Sequence, residues 1–212
     1  MAVIFDMDGV LFDSEPLHIR AWQAGMGPLG FSVEPQWYLR WVGIPDWELA
    51  KYLHNEHGLG ASDAELLALK REHYLRITAA DLRPFAGVEE GLQQLVARGT
   101  PVAVATSSNG EFCRHTLTCT GLLGYFPVRV AAEDVTAHKP APDPFLRAAA
   151  LLGTPPNACT VIEDSPTGIR AARAAGCRVL AVTSSYPAET LGEADEIFAT
   201  TALAIQRVLE TR

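Results

Sequence analysis

Short apolar runs separated by helical patterns constrain the fold of this chain more than any other feature. Each run is continuously apolar and too short for a surface helix, which is typical of a strand buried on both faces of a sheet. The predicted strands cover residues 2–6, 101–108, 158–165 and 178–185, with a weaker one at 128–134. The helical patterns between and after them cover residues 88–98, 110–122, 143–152 and 166–175.

The alternation of strands and helices predicts parallel strands joined by right-handed crossovers, hence an α/β doubly wound parallel sheet. Signals at the helix ends agree with this interpretation. Asp143 and Ser165 each precede a proline, the pattern of an N-cap followed by proline at the first helical position. Gly99, Gly153 and Gly176 follow helical patterns, where glycines that end helices occur.

The segment from Ser14 to Asp81 breaks this alternation. It contains no convincing strand, holds all four tryptophans and carries helical patterns such as the one at 62–76. We interpret it as a helical domain inserted directly after the first strand. The predicted organisation is therefore a core domain of residues 1–13 and 82–212 and an inserted domain of residues 14–81.

Composition and charge exclude several classes of protein. Hydrophobic residues make up 48% of the chain, enough for a packed core, and the net charge of −8 argues against a nucleic-acid partner. The longest apolar runs are only strand-sized and no secretory signal is visible, so we expect no membrane partner and a cytoplasmic location. The cysteines lack metal-ligand spacing and are expected to be buried thiols: Cys113, Cys119, Cys159 and Cys177.

Polar residues collect where the predicted strands end, which is where open α/β sheets bind their ligands. They are Asp6 and Asp8 after the first strand, Thr106, Ser107 and Ser108 after the second, Glu163 and Asp164 after the fourth, and Lys139 in the loop before the fourth. Because side chains alternate along an extended segment, the carboxylates of Asp6 and Asp8 are expected to start on the same side. Three or four carboxylates would then converge on one point.

Carboxylates so close together raise one another's pKa unless a cation lies between them. A hard divalent cation with oxygen ligands fits, and Mg²⁺ suits a site with few carboxylates, several waters and a substrate phosphate. The sequence therefore predicts Mg²⁺ and a phosphoryl group among the aspartates. A calcium-binding loop is excluded because its glycine occupies the sixth position, whereas Gly9 is fourth when counted from Asp6.

Four motifs in order resemble those of the haloacid dehalogenase superfamily. They are "DMDGV", the run ending at Thr106, Lys139 in "HKPAPDPF", and "VIEDSPTGIRAARAAG". The resemblance covers essentially the whole chain, and the inserted segment resembles the helical C1 cap of the subgroup with β-phosphoglucomutase and phosphoglycolate phosphatase. It implies a Rossmann-like core and a Mg²⁺-dependent phosphomonoester hydrolase that acts on a small phosphorylated metabolite.

The resemblance also implies a role for each matching residue. Asp6 is the nucleophile that forms an aspartyl-phosphate, and Asp8 acts first as a general acid and then as a base. The implied catalytic residues are Asp6, Asp8, Thr106 and Lys139, and the phosphate-binding set adds Met7 and Ser107. Mg²⁺ is bound by the carboxylates of Asp6 and Asp164 and the backbone carbonyl of Asp8, with Glu163 supporting these ligands.

The stretch "RWVGIPDWELAKYL" (40–53) resembles the cap loop that reaches the active site in this subgroup, so Gly43, Asp46 and Trp47 are candidate substrate residues. Mutases of the subgroup carry an arginine three residues after the matching glycine, where this chain has Asp46. An anion there would repel a second phosphate, which favours a phosphatase. His18 matches a cap histidine of mutases, and alternatively is a hydrogen-bonded histidine on a half-buried helix face.

Two alternatives to a phosphatase therefore stay open. One is a β-phosphoglucomutase-like sugar phosphomutase, kept open by His18. The other is a non-catalytic phosphate-binding module, although such a module would have no need of Asp8 as an acid. For either enzyme we expect a monomer or a weak homodimer.

Overall fold

The computed structural model describes residues 1–41, 44 and 46–211. The chain divides into two compact units, which we call the core unit (Met1–Asp13 with Arg83–Arg212) and the inserted unit (Ser14–Leu82). The prediction that Gly43 contacts substrate lies outside the described residues.

The strands of the core unit form one parallel sheet with the order β3-β2-β1-β4-β5-β6. They are β1 (Ala2–Phe5), β2 (Val102–Ala105), β3 (Val128–Val130), β4 (Cys159–Glu163), β5 (Arg178–Val182) and β6 (Glu196–Phe198). From β1 the chain proceeds to β2 and β3 on one side, then crosses to β4 on the other side of β1. The predicted doubly wound α/β fold is thus confirmed, and its topological switch point lies between β1 and β4.

Each predicted helical pattern corresponds to a helix of the structure, whereas the helices that begin at Glu15, Pro35, Asp46 and Thr201 had no predicted bounds. In the inserted unit the helices are α1 (Glu15–Met26), α2 (Pro35–Tyr38), α3 (Asp46–His57) and α4 (Asp63–Asp81), and in the core unit α5 (Val88–Ala97), α6 (Gly110–Cys119), α7 (Asp143–Leu151), α8 (Pro166–Ala174) and α9 (Thr201–Glu210). Ser165 caps α8 as predicted, because its side chain accepts a hydrogen bond from the Gly168 amide. The prediction for Asp143 is wrong by one position: Pro142 already has helical dihedral angles (φ −74°, ψ −10°), so Asp143 lies inside the first turn of α7.

Strands β1, β2 and β4 are buried along their whole length, which explains their nearly continuous apolar sequences. Along β1, Ala2 and Ile4 point to the face covered by α7 and α8, where they pack with Phe145 and Ile169. Phe5 packs edge-on against Phe126, with ring centroids 5.7 Å apart. The small strand residues on the α7–α8 face allow these helices to lie close to the sheet.

One strand of the sheet was not predicted. Strand β6 has three residues, pairs only with β5 and places Glu196 opposite Leu180 at the sheet edge. Glu196 accepts hydrogen bonds from Arg178 and Arg207, so its strand is held partly by surface ion pairs. A short, partly exposed strand of this kind has no continuous apolar run, and the sequence pattern therefore gives no signal for it.

The described residues of the inserted unit form helices joined by turns and short irregular segments, with α1 and α3 packed on α4. Its apolar core includes Trp22, Met26, Leu49, Leu53 and Leu66. In the part of the chain that the structure describes, no helix is both long and apolar enough to cross a membrane. The cysteines form no disulfide with one another; three of them are buried and Cys119 is partly exposed.

Candidate active site

The polar residues after β1 and β4 meet at the switch point because these strands are neighbours. Phe5 pairs with Ile162, and the Asp6 amide donates a hydrogen bond to the Ile162 carbonyl at 3.0 Å. This register places Asp6 level with the end of β4, where Glu163 and Asp164 follow. Among the described residues, Asp6, Glu163 and Asp164 each offer a carboxylate oxygen within 4.8 Å of the others.

Lys139 supplies positive charge to this cluster from the loop before α7. Its ammonium lies 2.5 Å from Asp6 Oδ1 and 2.8 Å from Glu163 Oε1, and the side chain is 6% exposed. One ammonium against three ionised carboxylates leaves a net charge of −2. The arrangement is therefore short of positive charge, and a cation is the natural complement.

The pKa values of the buried carboxylates in this cluster also favour a bound cation. Burial raises the pKa of Asp6 to about 7; Lys139 opposes this shift, and the nearby Glu163 and Asp8 add to it. Burial also raises the pKa of Asp164, with further contributions from Glu163 and Asp6. For Lys139, burial lowers the pKa, but Asp6 and Glu163 outweigh burial and raise it, so the ammonium keeps its proton.

Glu163 is fully engaged by the protein itself. Its Oε1 accepts from Lys139, while Oε2 accepts from the amides of Asp164 (2.8 Å) and Ser165 (2.7 Å) and from the Ser165 hydroxyl (3.0 Å). Room for this carboxylate exists because residue 168 is glycine: a Cβ there would lie 1.6 Å from Glu163 Oε1. These bonds fit a residue that holds Asp164 and Lys139 in place.

Of the three or four carboxylates expected to converge, the three of Asp6, Glu163 and Asp164 lie within 4.8 Å of one another, and that of Asp8 is not part of this group. Its Oδ2 accepts a hydrogen bond from the Ser108 hydroxyl at 2.9 Å. The strand ends at Phe5 and the chain turns at Gly9, which has φ +78°, so strand alternation does not by itself determine the position of Asp8. The sequence places Ser108 among the polar residues at the end of the second predicted strand but predicts no role for it; the structure shows its contact with Asp8.

The other residues of the predicted phosphate site differ in what they can offer. Thr106 is buried, and its hydroxyl accepts a hydrogen bond from the Ser108 amide at 3.0 Å. Ser107 is exposed. Met7 is fully buried, and its sulfur accepts a hydrogen bond from the Thr116 hydroxyl, so its side chain is not available to a ligand.

In the inserted unit, two of the predicted substrate residues belong to one buried ion cluster. Lys70 is 1% exposed and donates to Asp46 Oδ2 at 2.5 Å and to His18 Nδ1 at 2.9 Å, while Trp22 Nε1 donates to Asp46 Oδ1. Burial raises the pKa of Asp46, but Lys70 and the other donors prevail and lower it overall. The Lys70 ammonium also lies 4.5 Å from the centre of the Tyr74 ring.

This cluster changes the interpretation of Asp46. Its charge is compensated by Lys70, so the repulsion of a second phosphate is a weaker argument for a phosphatase than the sequence indicates. His18 is a hydrogen-bonded histidine on a buried helix face, and Trp47 is 55% exposed. The sequence prediction did not include Lys70. Its spacing nevertheless indicated burial, because Leu66, Lys70 and Tyr74 follow one another at intervals of four residues and form one buried stripe of α4.

The chain is similar to known enzymes along most of its length. The family of haloacid dehalogenase-like hydrolases matches residues 3–182. Fructose-1-phosphate phosphatase YqaB of Escherichia coli (strain K12) is 36% identical over 179 residues, which cover 82% of this chain and 92% of that protein. Hexitol phosphatase A of the same organism is 32% identical, covering 91% of this chain and 87% of that protein.

Solved structures agree with the sequence comparisons. A Thermotoga maritima protein provisionally named as a β-phosphoglucomutase has a TM-score of 0.85 at 28% identity, covering 100% of this chain and 99% of the other. A hydrolase from Deinococcus radiodurans R1, solved with bound phosphate and sodium, has a TM-score of 0.77 at 26% identity, covering 99% and 95%. Since the family match and the similar proteins extend over most of its length, this chain belongs to the family of haloacid dehalogenase-like hydrolases.

Proposed function

We propose that this chain is a Mg²⁺-dependent phosphatase that hydrolyses a small sugar phosphate or phosphoglycolate-type ester through an aspartyl-phosphate on Asp6. The observation that carries the proposal is the placement of two aspartates. The Asp6 carboxylate accepts a hydrogen bond from the Lys139 ammonium and lies close to the Asp164 carboxylate. The Asp8 carboxylate accepts its hydrogen bond from the Ser108 hydroxyl instead. The relatives named as phosphatases of fructose 1-phosphate and hexitol phosphates support the substrate class. A cytoplasmic location and a monomeric or weakly dimeric state are part of the same proposal.

The chemistry of the carboxylate cluster fits a divalent cation. Its oxygens lie within 4.8 Å of one another, and burial raises the pKa of two of its members, which a bound cation would reverse. In the proposal, Mg²⁺ is held by the carboxylates of Asp6 and Asp164 and by the backbone carbonyl of Asp8. When bound, the cation neutralises charge on the phosphoryl oxygens and on the attacking carboxylate.

In the first half of the reaction, a carboxylate oxygen of Asp6 attacks phosphorus. A bond forms between Asp6 and phosphorus as the ester P–O bond breaks, and Asp8 donates a proton to the leaving oxygen. An ionised carboxylate needs no base to become a nucleophile. Phosphoryl transfer depends on position and charge neutralisation, which the Lys139 ammonium and the Thr106 hydroxyl supply at the transferred group.

In the second half, the same acid works in reverse. Asp8, now a carboxylate, takes a proton from a water molecule whose oxygen attacks phosphorus. The bond between Asp6 and phosphorus breaks, inorganic phosphate leaves, and both aspartates return to their starting states. The hydrogen bond from Ser108 holds Asp8 in one orientation for both proton transfers.

A sugar phosphomutase is the alternative within the enzymes, because a structural neighbour carries that name. Its first half-reaction would use the same residues, and the two functions differ in what accepts the phosphoryl group. Incubation with a hexose 1-phosphate and a trace of hexose bisphosphate distinguishes them. We expect free phosphate, and an isomerised sugar phosphate in its place would overturn the phosphatase proposal.

Phosphate release from fructose 1-phosphate, a hexitol phosphate, phosphoglycolate and p-nitrophenyl phosphate, with and without Mg²⁺, tests the function directly. We expect Mg²⁺-dependent release of phosphate by the wild type. The control Asp13→Asn, which changes an exposed carboxylate a few residues after Asp8, should release phosphate in the same way. We expect none from Asp6→Asn. Equal inactivity of wild type and Asp6→Asn on every ester would favour the non-catalytic phosphate-binding module.

A further inference from the structure

The segment after β5 brings two hydroxyl groups to the candidate active site. Residues 183–185 read Thr-Ser-Ser and follow the carboxyl end of β5. In the sheet, Ala181 pairs with Glu163, so the chain beyond β5 runs beside the segment that contains Asp164. The sequence pattern predicts this segment only as the end of a buried strand, residues 178–185.

Ser185 contacts the carboxylate of the proposed metal site directly. Burial raises the pKa of the Asp164 carboxylate, which is 5% exposed, and hydrogen bonding by the Ser185 side chain acts in the opposite direction. Gly9 lies against the same two groups: a Cβ on Gly9 would be 2.0 Å from Asp164 Oδ2 and 2.5 Å from Ser185 Oγ. The hydroxyl, the carboxylate and the backbone of the aspartate loop are therefore packed together at one point.

Ser184 ties the same segment to the loop that carries Asp6 and Asp8. Its hydroxyl donates a hydrogen bond to the carbonyl oxygen of Gly9. The loop that carries Asp6 and Asp8 has a second such contact, in which the Thr201 hydroxyl donates a hydrogen bond to the Val10 carbonyl. These bonds fix the segment after β5 relative to the aspartate loop, and so fix the direction from which Ser185 approaches Asp164.

We propose that Ser185 is a positioning residue whose hydroxyl orients the Asp164 carboxylate toward a divalent cation and thereby sets the affinity of the site for that cation. A serine hydroxyl donates to one carboxylate oxygen and leaves lone pairs of the group free for a metal. Loss of such a partner of a metal-binding side chain typically weakens metal affinity about 10- to 100-fold. The inference rests on the metal site of the proposed function.

The test is a direct titration of the metal-free protein with each cation. Calorimetry measures the binding of Mg²⁺, and electron paramagnetic resonance measures the binding of Mn²⁺. For Ser185→Ala we expect a dissociation constant raised about tenfold, an unchanged thermal midpoint of the metal-free protein, and a kcat close to wild type at saturating Mg²⁺. Ser185→Thr keeps the hydroxyl and should restore wild-type affinity. Thr190→Ala is the matched control, because its hydroxyl donates only to the Pro187 carbonyl in the exposed turn beyond.

The outcomes separate this inference from the function on which it rests. A wild type that binds neither cation would overturn the proposed metal site itself. A wild type that binds, with Ser185→Ala binding equally well, would overturn the role of Ser185 alone. A weakened Ser185→Ala that Ser185→Thr does not rescue would also overturn it, because the hydroxyl would not be the group responsible.

Discussion

The Lys139 ammonium lies 2.5 Å from Asp6 Oδ1, although the two residues are 133 positions apart in the chain. Both side chains are nearly buried, and the same ammonium also contacts Glu163. A buried carboxylate beside a single shared cation is costly to keep ionised. The balance between these charges determines how the site responds to mutation, pH and metal.

Removal of the ammonium is expected to destabilise the core unit in a pH-dependent way. Lys139→Met leaves two buried carboxylates without their cation, which typically costs about 3–5 kcal/mol of unfolding free energy. The loss should be larger at pH 8 than at pH 5, where the carboxylates can take up protons instead. Urea unfolding at both pH values measures it, with the exposed Lys51→Met as control. Equal losses at both pH values would contradict the assignment.

Burial raises the pKa of Asp6 to about 7. This raised pKa predicts how the free energy of unfolding changes with pH when no metal is bound. An unfolded aspartate titrates near 3.8, so between these values the folded state binds more protons than the unfolded state. Unfolding free energy therefore falls, through this group, as pH rises from about 4 to about 7. Asp6→Asn removes the titration and should gain stability relative to wild type across that window, by at most about 4 kcal/mol. Unfolding in the presence of chelator at pH 5 and pH 8 checks the sign.

The raised pKa of Asp6 also predicts that Mg²⁺ binding releases protons. Below about pH 7 a cation must displace the proton on Asp6, and Asp164, whose pKa is also raised by burial, adds to the effect. Affinity for Mg²⁺ should therefore rise between pH 6 and pH 9, and proton release should decline. Calorimetry in two buffers with different ionisation enthalpies measures the released protons. Heats that do not depend on the buffer at pH 6 would rule out this linkage.

Gly168→Ala should disturb the site through Glu163. The added Cβ would lie 1.6 Å from Glu163 Oε1, so the carboxylate must move and lose its bonds to Lys139 or to the Asp164 amide. Overpacking of this kind costs about 1–3 kcal/mol, and we expect Mg²⁺ affinity to fall with it. Gly124→Ala is the control, since a Cβ there meets nothing within 4 Å. A Gly168→Ala variant as stable as this control would show that Glu163 is not held as described.

Ser108→Ala tests the proposed acid–base role of Asp8. Loss of the hydrogen bond to Asp8 should lower kcat about tenfold on an alkyl phosphate, part of the usual contribution of general acid–base catalysis, with little change in KM. The fall should be smaller for p-nitrophenyl phosphate if bond cleavage is rate-limiting, because its leaving group needs little protonation. Single-turnover measurements on both esters isolate that step. An equal fall on both would argue against Asp8 as the acid.

In the inserted unit, Lys70 and Asp46 should be strongly coupled. Removal of either partner leaves the other with an uncompensated charge, so the double-mutant cycle of Lys70→Met and Asp46→Asn should give a coupling energy of about 1–3 kcal/mol. The lowered pKa of Asp46 sets the sign of its pH dependence. Its contribution is complete above the ordinary aspartate pKa and is lost as pH falls through the lowered one. Unfolding at pH 7 measures the coupling, and a value near zero would mean that the contact does not stabilise the fold.

The sequence predicted the fold class and the carboxylate cluster because both depend on local patterns and on one topological rule. Continuous apolar runs identify buried parallel strands, and the polar residues at their carboxyl ends meet wherever those strands are neighbours. This reasoning brought Asp6 together with Asp164 and placed Lys139 in the loop just before the fourth predicted strand, and the resemblance then implied a role for Lys139. The family is confirmed by its match to residues 3–182. The roles of the individual residues stay predictions for the experiments above.

Tertiary structure decided the partners of individual side chains. The Asp8 carboxylate has the distant Ser108 hydroxyl as a partner, which sequence periodicity could not predict because the strand already ends at Phe5. The contact of Ser185 with Asp164 depends on β5 lying next to β4, and the burial of Lys70 depends on how α1 and α3 pack on α4. A pattern of two or 3.6 residues encodes which face of an element is buried. The group that a side chain meets on that face, or beyond the last residue of a strand, comes from segments far away in the chain.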